Sequence, residues 1–159
     1  MKPNLKVVQD TDNCAVPSNL NGDPIIEPGI YSVVVVAAAE KPFRLQDRWR
    51  LAIRVKVTNG DFAGAVLQRI YSVGRSDDGE LFVPAGKSSS LRRESLAILK
   101  RPTTDLSPMV GESLLARVHT TTTDSDGDPI PADLQYSHVR KLWPSEQSIQ
   151  RLLQGDKHE

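Results

Sequence analysis

The chain has 159 residues, 20 Lys and Arg against 20 Asp and Glu, 38% hydrophobic content and one cysteine. That length suits one domain with a real core. No apolar run approaches the roughly 20 residues of a membrane span, the start MKPNLKVVQD lacks a signal-peptide core, and the lone Cys14 offers no internal disulfide, so a reducing cytoplasm is the expected compartment.

Residues 1–26 lack sustained periodicity and read as a loose N-terminal arm, with at most a short strand at Leu5–Val8. Pro28-Gly29 then leads into IYSVVVVAAAE (30–40), a first strand. KPFRLQD reads as a loop before RWRLAIRVKV (48–57), the second strand. There Arg48, Arg50, Arg54 and Lys56 occupy alternate positions, interrupted only by Ala52, so they share one face. Trp49, Leu51, Ile53, Val55 and Val57 share the other, which is the alternation of a half-buried strand. Asn59-Gly60 is a turn signal, and AVLQRIYSV (65–73) is a third strand. Its expected phase turns Arg69 and Tyr71 outward and Val66 and Ile70 inward, with a bulge near Gly64 able to alter it. RSDDGELFVPAG reads as a mobile turn or a short β-excursion around Asp78-Gly79.

The period then changes. In KSSSLRRESLAILKRP, Leu91, Ser95, Ile98 and Leu99 fall on one helical face, preceded by serine caps and ended by Pro102. SLLARVHTTT (113–122) and LQYSHVRKLW (134–143) return to strand period around the turn-rich SDGDPIPAD. Pro144-Ser145 opens a short amphipathic helix bearing Ile149, Leu152 and Leu153, within a 144–159 helix and tail. Three strands, a helix and two strands are the order of an OB-fold, a five-stranded, partly open Greek-key barrel. The expected fold is therefore all-β with one or two helices, its OB-like domain spanning 27–143.

Several segments carry a resemblance. Glu27-Pro28-Gly29-Ile30-Tyr31-Ser32-Val33, the strand RWRLAIRVKV with Gly60-Asp61-Phe62-Ala63-Gly64, the helix before Pro102, and Val110-Gly111-Glu112 leading into LLARV are all similar to a known pattern. Over residues 27–143 the chain resembles the phage- and mobile-element-encoded OB-fold proteins that act as single-stranded DNA-binding proteins. The resemblance implies a non-enzymatic role in replication or recombination of such an element. The chain ends QGDKHE, so the acidic, hydrophobic-tipped tail of bacterial single-strand-binding proteins is not expected.

Charge points the same way. Residues 41–101 hold 13 Lys and Arg against 6 Asp and Glu, while both flanks are net acidic, so the field is local and suits an anionic partner. Binding of single strands without sequence preference combines a cationic groove with aromatic stacking. The candidate contacts are Arg50, Arg54, Lys56, Arg69, Arg75, Arg92 and Arg93, with Tyr71, then Phe43, then Phe82 as platforms. Trp49 is expected in the core.

No catalytic pattern competes. Asp124–Asp128 misplaces the glycine and the final Glu of a calcium loop. His119, His138 and His158 have no ligand spacing. No nucleophile elbow or phosphate loop is present. No enzyme activity, cofactor or metal is expected. The expected partner is single-stranded DNA, with RNA not distinguished, together with a homodimer or tetramer that pairs the barrel edges. The competing reading is a protein-interaction module, such as a phage structural or host-defence-inhibiting protein, on the same barrel.

Overall fold

Alternation organises the computed structural model, which describes residues 16–145. Its strands are β1 (Gly29–Ala38), β2 (Phe43–Leu45), β3 (Arg48–Val57), β4 (Val66–Ser72), β5 (Gly74–Arg75), β6 (Leu81–Phe82), β7 (Ser113–Thr121) and β8 (Tyr136–Pro144). The helix α1 (Ser90–Leu99) lies between β6 and β7. On β3, Leu51, Ile53, Val55 and Val57 are buried, while Arg54 and Lys56 face solvent. Val33 and Val35 of β1, Leu114, Ala116 and Val118 of β7, and Val139 and Leu142 of β8 join them in one core.

The sheet runs β4–β3–β1–β7–β8, with every neighbouring pair antiparallel, and β2 pairs the start of β3. Its two ends, β4 and β8, lie against each other without ladder hydrogen bonds, so the sheet curls round but does not close. β5 and β6 form a separate two-stranded hairpin.

Local chemistry explains the departures from expectation. KPFRLQD is not a loop: Phe43–Leu45 forms β2, which turns back onto β3 through Gln46 and Asp47, at φ 54° and 61°. A type I′ two-residue hairpin turn requires two successive left-handed residues, and these two supply them without the usual glycine. In α1 the Ser89 hydroxyl accepts from the Arg92 N–H at 3.1 Å, and Lys100 ends the helix in the left-handed conformation, as a C-cap.

Residues 16–26, expected in a loose arm, are tied to the body. The Asn19 side chain donates to the Gln135 carbonyl at 3.0 Å and accepts the Asn21 and Asp23 amides at 2.9 Å. The Ile26 amide donates to Ser137 Oγ at 2.8 Å, and Ile26 itself is buried. The strand at Leu5–Val8, Cys14 and the amphipathic face of Ile149, Leu152 and Leu153 lie outside the described residues. No helix among the described residues is long and apolar enough to cross a membrane.

Candidate nucleic-acid interface

The ladders on either side of β3 define its outer face. Opposite β4, Arg50 pairs with Ser72, Ala52 with Ile70, Arg54 with Gln68 and Lys56 with Val66. Opposite β2, Phe43 pairs with Arg50. Directly paired residues share a face, so Phe43, Arg50, Arg54 and Lys56 stand together, as their alternation predicts. Arg54 and Lys56 are exposed and take no ion pair or hydrogen bond among the described residues. Arg50 is half-buried: its Nη1 donates to Ser72 Oγ at 3.0 Å, and its Nε is buried without a partner among the described residues. Phe43 is half-buried beside it.

Two candidates are corrected. Arg69 and Tyr71 do not face outward: with Leu67 they are buried, while Val66 is 41% exposed. β4 keeps an unbroken register against β3, so no bulge shifts its phase. The reason is Glu94, buried on α1. Arg69 donates to it through Nε at 3.1 Å and through Nη2 at 2.5 Å, and Tyr71 Oη donates to it at 2.9 Å. The Leu142 amide of β8 donates to the same carboxylate at 3.1 Å. Arg69 also lies over the Tyr71 ring, 4.5 Å from its centre. Burial works against the charge of Arg69, but the hydrogen bond and charge of Glu94 outweigh it and raise its pKa. Burial first, and then the charge of Glu94, push the Tyr71 hydroxyl well above its ordinary value. An arginine and a carboxylate twenty-five residues apart form a buried pair that single-strand alternation cannot reveal.

Three further arginines are placed apart from the β3 row. Arg75 stacks on Trp49, 4.3 Å from the centre of its ring, with Arg44 at 5.4 Å from the same ring. Trp49 is thus partly buried at the rim of the core between two cations. Arg92 Nε donates to the Pro84 carbonyl at 3.3 Å, and Arg93 Nη1 donates to the Lys87 carbonyl, so both fold onto the loop ahead of α1. Phe82 is 51% exposed and lies against Gly74, where an added Cβ would stand 2.3 Å from its ring.

The ends of the sheet add residues that sequence reasoning missed. A cleft of about 660 Å³ lies between β4 and β8, lined by Arg54, Gln68 and Ile70 on one wall and Tyr136, His138 and Arg140 on the other. The period-two spacing of Tyr136, His138 and Arg140 was available as a signal, but only the meeting of β4 and β8 gives it a place. His138 Nδ1 shares a 3.1 Å hydrogen bond with Thr121 Oγ1. Burial, then the charges of Arg140, His119 and Arg69, lower its pKa.

The eight strands carry ten Lys and Arg and no Asp or Glu. The described carboxylates lie in loops, on α1 and, for Asp133, in the short 3-10 turn Ala132–Leu134. No group of three or more His, Cys, Asp or Glu among the described residues is arranged to hold a metal ion. No protein-family model matches the chain, and searches of curated proteins and of solved structures also found no match.

Proposed function

We propose that the protein is a non-enzymatic single-stranded DNA-binding protein acting in the cytoplasm in replication or recombination of a phage or mobile element, and that its sheet is an OB-like barrel. The strand order supports the fold: β1, β3, β4, β7 and β8 pair as the five strands of an OB-fold do, with α1 between the third and fourth and an open seam between the third and fifth. OB-folds bind oligonucleotides on the face of their second and third strands. Here that face is the outer side of β3 and β4.

One observation carries the function. A sheet with nine cations and no carboxylates, in a chain of zero net charge, concentrates positive potential on strand surfaces. Arg54 and Lys56 are exposed at its centre and unpaired among the described residues, with Phe43 and Arg50 beside them. With Tyr71 buried, stacking is sparse, so phosphate contacts supply most of the affinity.

Fluorescence anisotropy of a labelled oligonucleotide at several salt concentrations tests this. The wild type should bind at low salt with a linear loss of log affinity against log salt. Arg54→Ala with Lys56→Ala should lower the slope by about 0.7 for each phosphate no longer neutralised, uniformly across sequences. A flat titration at low salt overturns the reading in favour of a protein-interaction module, and an unchanged slope in the folded double variant makes the row a solvated face.

A further inference from the structure

Arg140 is the extra residue of a β-bulge. Lys141 pairs with Arg117 and Val139 with Val118, which leaves Arg140 without a partner across the ladder. Strict alternation turns only one of two successive residues outward. The bulge turns out both Arg140 and Lys141, while Val139 and Leu142 on either side stay in the core. Bulges re-aim side chains in this way, often beside functional sites. Here the re-aimed guanidinium lines the cleft between β4 and β8, across from Arg54 of β3.

The rest of the cleft suits a nucleotide. Arg54 and Arg140 are exposed, and neither takes a hydrogen bond or ion pair among the described residues. Tyr136, at 40% exposure, presents its ring on the same wall as Arg140, with His138 between them in sequence. Asp23 is the one carboxylate among the lining residues, and it already accepts from Asn19 Nδ2 at 3.4 Å. The floor holds Arg69, whose charge Glu94 neutralises. The volume, about 660 Å³, falls within the roughly 300–1,000 Å³ of small-ligand clefts.

The geometry points to a nucleotide subsite in this cleft, where Arg54 and Arg140 take the phosphate and Tyr136 stacks the base. It rests on the single-strand reading and extends that interface from β3 across β4 onto β8. Binding of an oligothymidylate to the full chain, measured against salt, tests it in Arg140→Ala, Tyr136→Ala and Lys56→Ala. Removing the Arg140 charge should lower the slope by about 0.7. Tyr136→Ala should weaken binding roughly 5- to 150-fold with the slope unchanged. Arg140→Lys, which keeps the charge, should keep the slope.

Lys56 lies outside the cleft and reports on the β3 row alone. A lowered slope in Lys56→Ala, with wild-type binding by Arg140→Ala and Tyr136→Ala, overturns the subsite and keeps the interface. Absence of binding by the wild type overturns both. Arg140 and Tyr136 are exposed, so truncating their side chains leaves the core intact, which equal thermal midpoints verify.

Discussion

A carboxylate inside an apolar core is costly unless its charge and its lone pairs are met, and Glu94 meets both demands at once. Its Oε2 takes Arg69, while its Oε1 takes Arg69, Tyr71 and the Leu142 amide. That amide belongs to β8, so the carboxylate of a helix ties β8 to Arg69 and Tyr71 of β4. Glu94→Gln isolates the ionic part, because the amide oxygen still accepts from Tyr71 and Leu142 while Arg69 is left charged and buried. Breaking a buried pair in this way costs about 3–5 kcal/mol, which should appear in urea unfolding. Adding Arg69→Met removes the orphaned charge, and the double variant should be more stable than Glu94→Gln alone. A double variant no more stable than the single would show that the buried charge is not the source of the loss.

In β8 the extra residue Arg140 adds a side chain without setting the core: Val139, Lys141 and Leu142 pair with Val118, Arg117 and Ala116 in turn. Deleting Arg140 would remove the bulge and leave Val139 and Leu142 inward with Lys141 outward, in strict alternation. The deletion should therefore unfold at about the same denaturant as Arg140→Ala. A clearly lower midpoint for the deletion would mean that the bulge itself holds core residues in place. At the head of α1, Ser89→Ala removes the hydroxyl that accepts the Arg92 amide, and should cost about 1 kcal/mol in the same measurement. These elements also show what the sequence could reveal. β3, β7 and α1 were legible because each carries an amphipathic period of its own. The phase of β4 was not, because Arg69 looks like a surface residue until Glu94 is seen beside it. β2 was hidden because its turn uses Gln46 and Asp47 rather than glycine. The row of Arg50, Arg54 and Lys56 was readable from alternation alone, whereas Tyr136 and Arg140 join it only through the meeting of β4 with β8.

For the molecule as a whole, fold and ligand should respond to acid in opposite directions, and His138 is the group that couples them. Buried in part, it faces Arg140 on its own strand, His119 on β7 and Arg69 on β4, and these hold its pKa below the ordinary 6.5. A lowered histidine pKa means that, between the folded value and 6.5, the unfolded chain binds a proton that the folded chain refuses. Stability therefore rises with pH through that window, and the contribution is lost as pH falls below it. On the proposed subsite, a strand phosphate beside Arg140 would reverse the balance, because it would favour the imidazolium and so bind more tightly as pH falls. Thermal midpoints and oligonucleotide affinities measured stepwise downward from about pH 7.5 follow the titration. Acid should lower the midpoint while strengthening binding. His138→Gln keeps a side-chain partner for Thr121 Oγ1 but cannot titrate, so it should flatten both dependences. If the variant keeps the acid-induced gain in affinity, His138 is not the group that senses the strand; if it keeps the fall in midpoint, the destabilising proton binds elsewhere.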